Sequence, residues 1–342
     1  MKKVIIQLLK FALSSVIALA VLSAVAFIYD NSPIMIQSNE LFTRAKYEPG
    51  QFWSYMKEGF GYGITNKDGF NNAYLPNDFV PRTDANVLVL GSSHVQAIHL
   101  PEDENFVYLL NQKLHSDNRN DNDLMCYNAG VSGSFIANTS STCKYIKDYF
   151  DDLDFIVFES SALDYPDDLL EDYLAGKYDT HSRPSTMGKL IQLIPGVRMM
   201  YSNFSDLLKN EFPETVAEQD ASKTFSYEKI SDAVTDNIAS SARECGAKAI
   251  LIYHSFINID ENGVPSIPEA KQYEAYKKAC EEKGIIFADV TDLFYKHYIE
   301  TFQLPYGFSN TTPGKGHLNS VGHSLIAERL YEIINDNLGE DK

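Results

Sequence analysis

The chain is poor in positive charge and in cysteine, and it has no repeat. Its 29 lysines and arginines stand against 47 aspartates and glutamates, a formal net charge of −18. No basic cluster occurs. Without one a protein cannot release the counterions of a phosphate backbone, so nucleic acid is excluded as a partner. The four cysteines, Cys126, Cys143, Cys245 and Cys280, form no Cys-x-x-Cys pair. Their scatter excludes a cysteine zinc site and a small disulfide-stapled fold, and leaves open one bridge, such as Cys245 to Cys280, in an oxidising compartment. No low-complexity tract interrupts the chain.

One long hydrophobic run is present. Lys2, Lys3 and Lys10 precede an uncharged apolar stretch from Phe11 to Tyr29, with Asp30 and Asn31 directly after it. As a helix rising about 1.5 Å per residue, it nearly crosses a hydrocarbon core of about 30 Å. The positive flank predicts an N-terminus in the cytoplasm and the rest of the chain outside, as a single-pass cell-membrane protein. Ala24-Val25-Ala26 also fits a signal-cleavage site, which leads instead to secretion; both readings export the remainder.

Three parts follow: an anchor or signal over residues 1–31, a juxtamembrane extension over 32–84 without sustained periodicity, and a main domain over 85–342. In the main domain, short β-branched runs at Asn86–Leu90, Met125–Asn128, Phe155–Glu159, Ala249–His254 and Ile285–Asp289 predict strands. Their near-continuous apolarity suits a parallel sheet covered on both faces. Asn105–His115, Asn138–Phe150, Ser226–Cys245 and Pro268–Lys283 supply crossover helices, and Asn319 with Ser320 caps a last helix from Val321 to Leu338. The expected fold is α/β, a three-layer α/β/α arrangement with a central parallel sheet. A long insertion is expected at about 164–223, where a short connection would suffice.

Chemistry concentrates in three places. The first strand breaks at Gly91 and delivers Ser92 and Ser93, and in an open parallel sheet ligands bind beyond the carboxyl ends of the strands. The second strand ends in Asn128-Ala-Gly130-Val-Ser-Gly133, where small residues let backbone N–H groups approach a reacting oxygen. Near the C-terminus His317 lies on a glycine-flanked loop before the capped helix, and a serine nucleophile needs such a base. His94, adjacent to Ser93, is a candidate to contact substrate or, at least equally, to pack or cap, and His254 is a candidate for the cleft wall. His317 and His323 lack a third ligand at a familiar spacing, so no metal is expected.

The ordered set Gly91-Ser92-Ser93, Asn128-Ala-Gly130 and Gly316-His317-Leu318-Asn319 resembles the blocks of the SGNH/GDSL hydrolase superfamily over about residues 87–338. It looks most like the exported, membrane-anchored branch that includes polysaccharide O-acetyltransferase partners and the D-alanyl transfer protein of teichoic acids. Thr65-Asn66-Lys67-Asp68-Gly69-Phe70-Asn71 is similar to the lead-in of exported members. The resemblance implies a flavodoxin-like fold, Ser93 as nucleophile, His317 as general base, and the N–H groups of Ser93 and Gly130 as oxyanion donors. It implies no cofactor.

Three positions depart from the pattern. Ser92 replaces the usual aspartate before the nucleophile. The third block has Glu159-Ser160-Ser161 where a side-chain asparagine donor is expected, leaving Ser160 or Ser161 to replace it. Gly314 stands where the aspartate that orients the histidine should be, so the acid is absent or borrowed, with Asp289 and Asp292 as candidates. The expected activity is a serine esterase or O-acyltransferase on acyl, chiefly acetyl, esters of a cell-envelope polysaccharide or other acylated glycan. The alternative is a catalytically weak or inactive SGNH-like module that binds glycan or scaffolds a membrane-bound acyltransferase.

Overall fold

The computed structural model describes residues 2–37, 41–116, 124–163, 197, 200 and 227–338. It begins with α1 (Lys2–Tyr29), 28 residues whose most apolar window has a mean hydropathy of 2.5. At about 1.5 Å per residue the helix exceeds a hydrocarbon core of about 30 Å, and it is a candidate membrane span or signal sequence. It starts well before Phe11 because Val4–Leu9 is apolar apart from Gln7, itself a good helix former, and carries no helix breaker.

The extension folds into pieces too short to show a period. Strands β1 (Asp30–Asn31), β4 (Phe52–Tyr55) and β5 (Gly61–Ile64) make an antiparallel sheet in the order β1-β4-β5, while β2 (Met35–Gln37) pairs with β3 (Ala45–Tyr47). Trp53 is fully buried, and its ring occupies the space a side chain at Gly63 would need. A Cβ at Gly61 would stand 2.0 Å from the Ile98 carbonyl oxygen, so glycine is what lets β5 lie directly on the main domain. A short helix α2 (Pro81–Asp84) leads into that domain.

The central sheet consists of β6 (Val87–Gly91), β7 (Cys126–Gly130), β8 (Phe155–Ser160), β9 (Lys248–Tyr253) and β12 (Ile286–Asp289), in the order β12-β9-β8-β6-β7. Every pair is parallel. A small hairpin, β10 (Asn258–Ile259) with β11 (Pro265–Ser266), lies between β9 and β12. The five predicted strands are all present, shifted by a residue or two. Leu88, Leu90, Ile156 and Phe158 feed one apolar core and Val87, Val89, Phe155 and Val157 the other, on opposite faces of the sheet. Both parities are buried, which explains the continuous apolarity of the runs.

The helices are α3 (Ser93–Gln96), α4 (Phe106–Ser116), α5 (Ile136–Thr142), α6 (Ile146–Tyr149), α7 (Tyr227–Cys245), α8 (Tyr273–Lys283), α9 (Thr291–Thr301) and α10 (Ser320–Asn337). The helix expected over Asn138–Phe150 is broken between α5 and α6 by a tighter turn at Cys143–Tyr145. Ser140 and Thr142 hydroxyls donate to the carbonyls of Ala137, Asn138 and Thr139, competing with the ladder there. The insertion expected at about 164–223 lies outside the described residues apart from Val197 and Met200. All four cysteines are free and buried, so the bridge between Cys245 and Cys280 is not formed.

Because β6 lies between β7 and β8, the chain reverses its direction of winding at β6, and Ser93 stands at the carboxyl end of this switch point. Gly61→Ala is expected to lift the β4–β5 hairpin off Ile98 and to lower Tm by a few degrees in thermal unfolding, through an overpacking cost of about 1–3 kcal/mol.

Candidate active site

Ser93 opens α3, with Ser92 as its N-cap: the Ser92 hydroxyl accepts the His94 N–H at 3.3 Å. The Ser93 N–H, at the first helical position, is one that a helix leaves without an intrahelical partner. From the other side of the cleft His317 brings Nε2 to 2.9 Å from Ser93 Oγ. His317 is carried by a loop fastened to Tyr306: its carbonyl accepts from Gly307 N–H, and Leu318 bridges to Tyr306 as an isolated β-pair.

The acid beside His317 is Glu58, from the hairpin loop between β4 and β5. Glu58 Oε2 accepts from His317 Nδ1 and Oε1 from the His317 backbone N–H, each at 2.7 Å. A carboxylate can only accept, so the proton is assigned to Nδ1, leaving Nε2 as the acceptor facing the Ser93 hydroxyl. Burial opposes ionisation of Glu58, yet the two hydrogen bonds and the proximity of His317 hold its carboxyl below the usual range. Gly316 has φ +86°, and a Cβ there would lie 2.1 Å from Glu58 Oε1; only glycine admits the carboxylate. Asn310 clamps the two loops together. Its Oδ1 accepts from Gly59 N–H, and its Nδ2 donates to the carbonyls of Met56 and Gly59.

Neither Asp289 nor Asp292, the acids considered from sequence, takes this position. Asp289, at the carboxyl end of the edge strand β12, accepts the Thr291 N–H at 2.8 Å, and Asp292 belongs to the first turn of α9. The sequence carried little sign of Glu58, which lies 259 residues from His317 in a segment without periodicity. Gly130 also differs from expectation. Its N–H donates to Asn128 Oδ1 at 2.9 Å, and its missing side chain serves the close approach of Gln96 N. Gly133, exposed with φ +71° in the turn after β7, has no hydrogen-bond partner among the described residues. Of the two serines considered as donors, Ser160 gives its hydroxyl to the Ala162 carbonyl, and Ser161 is half-buried without a hydrogen bond among the described residues.

Behind the serine lies a second, fully buried acid–imidazole pair. Glu159 Oε2 accepts from both the backbone N–H and the hydroxyl of Ser92 at 2.9 Å. Its Oε1 meets His254 Nε2 at 3.0 Å, and His254 Nδ1 hydrogen-bonds Tyr306. His254 therefore sits beneath the cleft rather than in its wall. Burial works against the Glu159 charge, but His254 and the Ser92 N–H bring its pKa down to about 2. His94 is buried and accepts the Leu318 N–H at 3.2 Å, the packing or capping role of the two considered. His323 accepts the Phe106 N–H at 3.0 Å and is pushed down to about 3 by burial, so it makes no pair with His317.

His99 was not singled out by the sequence. Its ring lies against His317 at 3.6 Å between centroids and 17° between planes, with burial and then neighbouring His317 holding its pKa well below the ordinary value. Ligand atoms of Glu58, His99 and His317 lie within 4.8 Å of one another. Near-parallel rings direct their in-plane lone pairs side by side, whereas a cation needs them to converge at about 2.0–2.1 Å. The arrangement suits a hydrogen-bonded base stacked on a neutral imidazole.

Since the Glu159 pKa lies below its ordinary 4.5, its stabilisation is present in full above that pH and fades as pH falls towards 2. Glu159→Gln is expected to lower Tm near neutral pH by roughly 5 °C or more, since breaking a buried pair costs about 3–5 kcal/mol. Melts taken down to about pH 3 should show the gap between variant and wild type closing; a constant gap would mean the lost group was not this carboxylate.

The chain matches no protein-family model, and no curated protein sequence matches it. Solved structures do overlap it. An acetylxylan esterase, Axe2 from Geobacillus stearothermophilus, superposes with a TM-score of 0.43 at 12% identity, over 77% of this chain and 100% of the other. A two-domain esterase (CEX) active on acetylated mannans, co-crystallised with mannopentaose, gives 0.42 at 11%, over 75% of this chain and 50% of that one. LAE5, an α/β hydrolase enzyme from the metagenome of Lake Arreo, Spain, gives 0.42 at 15%, over 74% and 96%.

Proposed function

We propose that Ser93, His317 and Glu58 form the triad of an SGNH-type serine esterase or O-acyltransferase, acting outside the cytoplasm on acyl, chiefly acetyl, esters of a cell-envelope glycan. The observation that carries this reading is the continuous chain from Ser93 Oγ to His317 Nε2 at 2.9 Å and from His317 Nδ1 to Glu58 Oε2 at 2.7 Å. Ser93 Oγ attacks the ester carbonyl while His317 Nε2 takes its proton, and Glu58 stabilises the imidazolium that results. The oxyanion is received by the N–H groups of Ser93, just after β6, and Gly133, in the turn after β7, neither of which has a hydrogen-bond partner among the described residues. The tetrahedral intermediate expels the sugar oxygen, which takes the proton back from His317. Water or a second sugar hydroxyl then attacks the carbonyl of acyl-Ser93, giving its proton to His317; the bond to Ser93 Oγ breaks, Oγ takes that proton back, and hydrolysis or transfer is complete. A membrane-bound acyltransferase as donor of the acyl group belongs to the transfer branch of the same proposal.

The test is labelling of the full chain with a serine-reactive fluorophosphonate. Wild type is expected to label, Ser93→Ala not at all, and Glu58→Gln roughly 10³- to 10⁴-fold more slowly, as for loss of the orienting acid from a triad. If wild type neither labels nor turns over p-nitrophenyl acetate, the domain is a binding or scaffolding module instead.

A further inference from the structure

The end of α1 is built into the hairpin that carries Glu58. The Ser54 hydroxyl donates to the Phe27 carbonyl at 2.7 Å, and Met56 N–H donates to the Tyr29 carbonyl at 2.9 Å. Asp30 pairs with Tyr55 in the β1–β4 ladder, and its carboxylate holds Lys57, the residue before Glu58, at 2.7 Å. Ala26, the last residue of the small-x-small triplet, is fully buried in this junction.

The hairpin is a plate with two different faces. Trp53, Tyr55, Gly61 and Gly63 face the main domain: Tyr55 meets the edge of the His99 ring at 5.0 Å, and Gly61 lies on the Ile98 carbonyl. Cross-strand partners project to the same side, and here Phe52 pairs with Ile64 and Ser54 with Tyr62. Phe52 stacks on Phe27 at 5.1 Å, so Phe52, Ser54, Tyr62 and Ile64 share the face that meets the end of α1. Phe60 continues this face at the alternating spacing. Phe60, Tyr62 and Ile64 are 52%, 57% and 48% exposed, an apolar stripe along edge strand β5 and the residue before it, joined through Phe52 to Phe27 of the helix.

We infer that the stripe of Phe60, Tyr62 and Ile64 seats on the lipid surface from which α1 emerges, and that the site therefore works on a glycan carried at that surface. The inference rests on the esterase reading of the site for its second half only. Aromatic side chains with a polar edge settle at the level of the headgroups, and a stripe contiguous with a membrane helix can reach that level without any movement of the chain. Seating the plate fixes Glu58 from below, since the same plate presses Tyr55 on His99 and Glu58 on His317. A domain of strongly negative charge gains nothing from attraction to anionic lipid, so contact must come from apolar area.

All four native cysteines are buried, so a cysteine placed on the surface takes a dye selectively. The full chain bearing Tyr62→Cys or Ile64→Cys, labelled with a polarity-sensitive fluorophore and reconstituted into phosphatidylcholine–phosphatidylglycerol vesicles, is expected to be quenched by nitroxide-labelled lipid. The same dye at Lys278→Cys, on the exposed side of α8, should not be. In parallel, Tyr62→Asp with Ile64→Asp should lower the ratio of turnover of a vesicle-embedded acetylated glycolipid to that of soluble p-nitrophenyl acetate by tenfold or more. Equal quenching at all three positions, an unchanged ratio, or disulfide cross-linking between Tyr62→Cys copies in place of lipid quenching overturns the inference. Failure of wild type to turn over either ester removes the esterase reading, while the quenching measurement still decides whether the stripe is seated.

Discussion

Two hydrogen bonds that one carboxylate accepts from one residue hold the site together. Glu58 takes both the side-chain and the backbone N–H of His317, and this double grip fixes the position of the loop as well as the tilt and tautomer of the imidazole. Nearly every local oddity around it serves that contact: glycine at 316 makes room, Asn310 ties the two loops, and the stacked ring of His99 keeps the imidazole plane in register. An acid supplied from before the first strand of the main sheet ties the extension to the loop that carries His317. The extension in turn is continuous with the N-terminal helix.

A second polar assembly lies underneath. Glu159, at the end of β8 where the resemblance calls for an asparagine nearby, is spent on Ser92 and His254 rather than on substrate. It holds the turn that presents Ser93, and through Tyr306 it reaches the strand-like bridge that carries Leu318, next to His317. Ser93 and His317 are thus braced from above by one carboxylate and from below by another. Buried charge of this kind is costly unless fully partnered, and here each Glu159 oxygen has its donor.

The lead-in segment also finds its use in support. Asn66 Oδ1 accepts from Asp68 and Phe70 N–H, closing a tight loop. Asn71 and Asn72 then reach the Gln96 and Asn128 carbonyls, with Asn128 N–H returning a bond to Asn72. These amides splice the extension to α3 and β7, the two elements on which the cleft depends. Their role is to satisfy buried backbone groups that the open end of a parallel sheet would otherwise leave bare.

What the sequence by itself determined is what depends on neighbours along the chain. Apolar runs bounded by breakers become strands, an amide and a serine before an amphipathic stretch become a helix cap, and a glycine–serine break after the first strand places Ser93 at the sheet's carboxyl edge. His317 was legible because it follows glycine and precedes that cap. Glu58 was not, since nothing local distinguishes a loop glutamate in an aperiodic segment, and its partner lies 259 residues away. The fate of Gly130, whose N–H turns to Asn128, was likewise set by a contact within the folded end of β7. Local pattern decides elements because backbone hydrogen bonding and burial are periodic; which carboxylate meets which imidazole is decided only when packing brings distant loops to the same end of the sheet.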